Sequence, residues 1–179
     1  MYATLLVLGV ENVGKLYWFK VCKNPHDIDF PYKHSNFGYK GVHFDFTGVN
    51  LLGQYKAMED LVIERIGIVD DVVVVLMFSI TSRQSFDALA VRLEEIMKNT
   101  TSIIVVGSKC DLENERQVFT EEGQEFANAI GAKYFEISSK EQIHYTHPLD
   151  EAISILKHQN TNEKRTRKRD FIKKIFTGK

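Results

Sequence analysis

Residues 9 to 16 read Gly-Val-Glu-Asn-Val-Gly-Lys-Leu and follow directly on a short apolar run, Thr4–Leu8. A loop bounded by two glycines and closed by Gly-Lys, set between a strand and a helix, leaves few folds open. Backbone N–H groups of such a loop, together with the helix N-terminus behind it, point at an anion. Gly9 and Gly14 allow backbone conformations that other residues resist. Lys15 adds a point charge for phosphate oxygens. The full pattern GxxxxGK[ST] ends in a hydroxyl because that oxygen ligates Mg²⁺ beside the terminal phosphates. Leu16 has no oxygen to offer. The loop, with Gly9, Glu11, Asn12, Val13, Gly14, Lys15 and Leu16, is therefore expected to hold a phosphate while lacking a metal ligand.

The rest of the chain repeats the strand–helix alternation. Apolar runs lie at Thr4–Gly9, Val42–Phe46, Val72–Phe78, Ser102–Gly107 and Lys133–Ser138. Several are nearly continuous in Val and Ile, as strands buried on both faces of a parallel sheet require. Helical patterns lie between and after them, at Lys15–Val21, Ala57–Arg65, Ser85–Met97, Thr120–Ile130 and Leu149–His158. Thr120 is expected to cap its helix, and Gly131 to end it. Lys23–Lys40 has a weak period and reads as a long loop. This pattern predicts an α/β fold, a mostly parallel sheet flanked by helices on both faces. Residues 1–158 are expected to form that domain, and 159–179 a separate tail.

A length of 179 residues suits one domain with a core of its own. Two cysteines, Cys22 and Cys110, are too few for a disulfide framework and point to a reducing compartment. Without an apolar run long enough to span a bilayer or a cleavable leader pattern, the chain reads as cytoplasmic. The net charge of −1 hides an asymmetry. Residues 164–179 carry +7, and residues 1–163 carry −8. In the tail, Phe171, Ile172, Ile175 and Phe176 recur at helical spacing among lysines and arginines. That is a basic amphipathic pattern suited to an anionic membrane or an acidic groove, and alternatively a helix docked on the domain or a disordered tail. Nucleic acid is not expected as a partner.

Two further motifs stand at the ends of later strands, where open α/β sheets bind ligands. One is Gly107-Ser108-Lys109-Cys110-Asp111, the other Glu136-Ile137-Ser138-Ser139-Lys140. A carboxylate such as Asp111 accepts two donors from the N1–H and exocyclic amine of guanine. Adenine lacks that paired donor edge. A Lys stem covers the ring face of a base. The histidines share no metal-ligand spacing, and no Ser has a His partner arranged for nucleophilic chemistry.

The three elements, in this order, resemble the small GTPases of the Ras superfamily. Gln54–Asp60 and Phe78–Phe86 resemble segments of the same proteins, and Val72–Leu156 is most similar to the Rab branch, notably Lys109-Cys110-Asp111-Leu112 and Glu115-Arg116-Gln117-Val118. The resemblance implies a GTP/GDP-binding fold. Gly9, Gly14 and Lys15 would hold phosphates, Lys109 and Asp111 guanine, and Ser138, Ser139 and Lys140 would close over the base. A protein effector or scaffold partner is implied as well. The chain departs from this family's pattern at Leu16, at Ser108 in place of Asn, and at Ser139 in place of Ala. The segment from Lys15 to the third strand is shorter than usual, with Ser35 the nearest polar candidate for a phosphate-sensing residue. The DxxGQ motif fits two registers. One is Asp45-Phe46-Thr47-Gly48 followed by Val49; the other is Asn50-Leu51-Leu52-Gly53-Gln54. The departures gather around metal and γ-phosphate, so Mg²⁺ binding is doubtful and hydrolysis is expected weak or absent. Three readings remain: a nucleotide-binding protein with poor turnover, a nucleotide-free pseudoGTPase scaffold, and an active GTPase with an unusual metal shell in which Gln54 positions water.

Overall fold

A computed structural model describes residues 1–23, 34–51, 56–66, 71–100, 102–159 and 161. Gln54 and the basic segment 164–179 lie outside the described residues. The strands are β1 (Tyr2–Gly9), β2 (His34–Tyr39), β3 (Val42–Asn50), β4 (Val72–Ser79), β5 (Ile103–Ser108) and β6 (Lys133–Ile137). The helices are α1 (Lys15–Lys23), α2 (Lys56–Ile66), α3 (Arg83–Asn99), α4 (Thr120–Ala129) and α5, over residues 147–159. The strands form one six-stranded sheet in the order β2-β3-β1-β4-β5-β6. Every pairing is parallel except β2 with β3.

The central place of β1 and β4 follows from composition. β1 and β4 are the most continuously apolar strands and sit in the middle; every residue of Val72–Ser79 is buried. One face of the sheet packs on α1 and α5 through Trp18, Phe19, Leu149, Ile153 and Leu156. The other packs on α2, α3 and α4 through Ile63, Leu89, Ile96 and Ala127. Burying an aliphatic or aromatic side chain of this kind stabilises the fold by about 1.5–3 kcal/mol. β1, β4, β5 and β6 run parallel, so the three motifs at the C-terminal ends of β1, β5 and β6 lie along one edge of the sheet.

Two expectations are corrected here. The stretch read as a long loop contains β2, which pairs antiparallel with β3 across a two-residue turn at Lys40 and Gly41. Both turn residues have positive φ, 46° and 79°, as a tight hairpin requires. The signal was alternation on both sides of that turn: Phe37 stacks on Phe44 with ring centroids 5.5 Å apart. Thr120 is not the cap of α4. The Phe119 N–H donates to the Glu122 carboxylate at 2.9 Å, and the Thr120 hydroxyl turns to Glu136. At the other end Gly131, φ 69°, does close the helix. Its N–H bonds to Asn128 O and that of Ala132 to Ala127 O, the paired bonds of a glycine-terminated helix.

Candidate nucleotide-binding site

The loop leaves β1 at Gly9 and enters α1 at Lys15. A Cβ at Gly9 would stand 2.2 Å from the Met77 carbonyl oxygen, so only glycine lets the loop pass over β4. Asn12 and Gly14 have φ of 62° and 92°, left-handed values that turn successive N–H groups to the same side. Trp18 N–H closes the first helical turn on Gly14 O, and its indole Nε1 donates to Tyr145 O at 2.7 Å. That bond ties α1 to the loop that follows β6.

Lys15 is buried and folds back over its own loop. Its Nζ donates to Gly9 O and to Val10 O, each at 2.7 Å. Burial pulls its pKa down to about 8, against a smaller opposing pull from the Glu11 carboxylate. An ammonium has three protons; two go to these carbonyls and the third is left for an anion. Leu16 is 51% exposed, as is Tyr17, so hydrocarbon faces outward where the full motif has a hydroxyl.

Strand register separates the two placements of DxxGQ. Gly9 lies opposite Asn50, and Leu51 N–H donates to Gly9 O at 3.0 Å. Asn50 Nδ2 reaches the Glu11 carboxylate at 3.3 Å. Asp45 instead lies opposite Thr4, five residues back, roughly 16 Å down the strand at ~3.3 Å per residue. There it lines a depression with Tyr2, His43 and Asp71, away from the loop. The position beside the loop is therefore an amide. β3 is longer than the apolar run Val42–Phe46 implies, because its last residues, partly buried or exposed, are strand through pairing with β1.

The base-loop motifs converge on the same rim. Ser108 is buried, and its hydroxyl lies 2.7 Å from Val13 O and 2.8 Å from Phe78 O. It clamps β5 to the phosphate loop rather than projecting outward. Lys109 follows with φ 63°, which turns the chain sharply out of the sheet. Cys110 N–H donates to Ile137 O at 3.1 Å and joins this loop to the one after β6. Ser138 is fully buried; its hydroxyl accepts from Glu141 N–H, and its backbone bridges to Ile143. Ser139 is partly exposed, and Lys140 is exposed and paired with Glu141 at 3.5 Å. Lys109 and Asp111 are half-buried beside them.

Sequence reasoning missed the support behind this rim. Arg116 grips Glu136 with two parallel bonds of 2.9 and 2.8 Å and Glu113 with two more. Thr120 and Tyr134 also donate to Glu136. These donors hold the Glu136 carboxyl below its ordinary range although burial opposes them. Burial and the adjacent carboxylate push the Tyr134 phenol well up. The phrases Glu115–Val118 and Glu136–Lys140 marked its two ends, and neither carries a hint that Arg116 and Glu136 pair.

Comparison with known proteins agrees with this architecture. The Ras family model matches residues 28–158. The matched region starts after the Gly9–Leu16 loop and covers both base-loop motifs. A Ras-like protein of Laccaria bicolor is 37% identical over 89 residues, 48% of this chain and 43% of its own length. The Ras-like protein rasW of Dictyostelium discoideum is 34% identical over 46% of this chain and 40% of its own. The GTP-binding protein Rab-3D of Rattus norvegicus is 36% identical over 45% and 38%. The chain thus spans about two fifths of the length of these relatives. With the family match over the sheet from before β2 to α5, the chain belongs to the Ras family of small GTPases.

Proposed function

We propose that the protein binds guanine nucleotide, hydrolyses it weakly or not at all, and acts through protein contacts in signalling or vesicle traffic. The observation that carries this reading is the convergence of three loops on one rim, with Ser108 Oγ on Val13 O at 2.7 Å and Cys110 N–H on Ile137 O at 3.1 Å. The residues present fit a nucleotide: the Gly9–Lys15 cradle for phosphates, Lys109 and Asp111 for the guanine edge, and the Ser138–Lys140 turn over the base. They do not fit Mg²⁺, which supplies charge neutralisation at the terminal phosphates when bound. Leu16 offers hydrocarbon and Asn50 a neutral amide where a hydroxyl and a carboxylate serve the metal in this family. Lys15 then remains the cation that orients and neutralises phosphate. Gln54 is kept as the candidate for positioning water. Weak turnover follows, since metal and water-positioning groups supply most of the catalysis in phosphoryl transfer.

The second reading is a nucleotide-free scaffold, favoured by the exposed Leu16 and Tyr17 beside the cradle. Titration with GDP, GTP and ATP, with and without Mg²⁺, separates the readings. Guanine-selective binding that Mg²⁺ does not strengthen is expected. Absence of binding at millimolar nucleotide favours the scaffold, and tight Mg²⁺-dependent GTP binding favours an active GTPase with an unusual metal shell. Leu16→Ser is expected to gain Mg²⁺-dependent GTP affinity of about tenfold, the effect of one added oxygen ligand worth ~1.4 kcal/mol. An unchanged affinity counts against the role given to Leu16.

A further inference from the structure

We propose that Glu11 makes this site select a nucleoside diphosphate over the matching triphosphate; the inference rests on the guanine-nucleotide reading above. Glu11 is the third residue of the phosphate loop, and its carboxylate leans toward the end of β3, where it accepts from Asn50 Nδ2 at 3.3 Å. It therefore bridges the phosphate loop and the end of β3. The Lys15 charge registers its presence, because the Glu11 carboxylate favours the protonated amine. Among the described residues, Glu11 is the acid whose charge acts on Lys15.

The charge balance decides the preference. A diphosphate is served by the loop N–H groups and by the one free proton of Lys15. A triphosphate brings further negative charge into the same field. Leu16 and Asn50 bring no counter-charge, by themselves or through a metal. The Glu11 carboxylate, held between the loop and the end of β3, repels it. Its contact with Asn50 also occupies one of the two amide N–H donors that could otherwise serve a phosphate oxygen. Both effects penalise the third phosphoryl group and leave the diphosphate nearly untouched. The protein is then held in one nucleotide state by its own loop rather than by a hydrolytic cycle.

The test is calorimetric titration of GDP and GTP in the presence of EDTA, on the full chain and on Glu11→Gln, which keeps the shape and the acceptor oxygen. The parent is expected to bind GDP about tenfold more tightly than GTP, the scale of one partly screened charge contact. Glu11→Gln is expected to tighten GTP and bring the two within about threefold. Added salt is expected to narrow the ratio in the parent and not in the variant, which distinguishes a charge effect from a local rearrangement. Equal affinities in the parent, or the same GDP preference in both proteins, overturns the role of Glu11 and leaves guanine-nucleotide binding standing. No binding of either nucleotide by the parent overturns the underlying reading, and this inference with it.

Discussion

Lys15 is where local chemistry bears most directly on function. In the folded chain its pKa falls from 10.5 to about 8, and the first cause is burial. Bound phosphate favours the charged amine, so above pH 8 binding must take up a proton. Nucleotide affinity is expected to fall as pH rises past about 8, by up to about tenfold per unit. A titration series from about pH 7 to about pH 9.5 checks this, and a flat profile sinks it. Stability carries the opposite sign. A lysine whose folded pKa is depressed binds fewer protons folded than unfolded between about 8 and 10.5, so its burial opposes folding at low pH and that penalty fades as pH rises. At this scale Leu16 could be judged from its chemistry alone, since no environment lends a hydrocarbon an oxygen. Ser108 could not. As a shortened Asn it reads as a weakened guanine contact, yet its hydroxyl is committed to carbonyls of the phosphate loop and of β4. Its partner Val13 is far away in sequence, and only the folded sheet brings them together.

Among the elements, β5 and β6 carry the rim, and the Arg116–Glu136 pair holds the loop after one against the end of the other. The Arg116 side chain is 9% exposed and that of Glu136 is 18% exposed. Removing one partner leaves the other charge stranded near the core. Arg116→Met is expected to lower stability by about 2–4 kcal/mol, with Glu136 the main source of the cost. A double variant with Glu136→Leu is expected to recover much of that loss, because replacing both members of a buried pair by apolar groups is often close to neutral. Urea denaturation of the single and double variants measures both. No recovery in the double variant means that Arg116 acts through packing instead. The length of β3 is the other lesson at this scale. Hydrophobic pattern marks Val42–Phe46 because Val42, Phe44 and Phe46 face the core, whereas Thr47–Asn50 are strand by pairing with β1. A periodic pattern registers burial, and a strand end that rises above the helices has little of it. The assignment of Asn50 rather than Asp45 to the loop follows from that pairing.

Across the whole molecule the asymmetry of charge sets an acidic body, −8 over residues 1–163, against a basic tail, +7 over residues 164–179. Among the described residues no helix is long and apolar enough to cross a membrane. We propose that the tail contacts anionic membrane from a cytoplasmic position. Deleting residues 164–179 is expected to lower co-sedimentation with anionic vesicles by more than about tenfold, since each basic residue near such a surface contributes about 1 kcal/mol. Equal binding with and without the tail removes the membrane role. The fold class, five of the six described strands and the five α-helices, though not the short 3-10 turn Glu113–Glu115, follow from apolar runs and their punctuation, because burial on both faces or on one stripe leaves a periodic trace in composition. The residue types of the cradle and base loops are legible for the same local reason: chemistry belongs to the side chain wherever it sits. Which strands neighbour one another, which asparagine or aspartate meets the phosphate loop, where the Ser108 hydroxyl goes and that Glu11 reaches Asn50 are facts of pairing and approach between distant segments. No single window of sequence contains them; they exist only once distant segments have packed together.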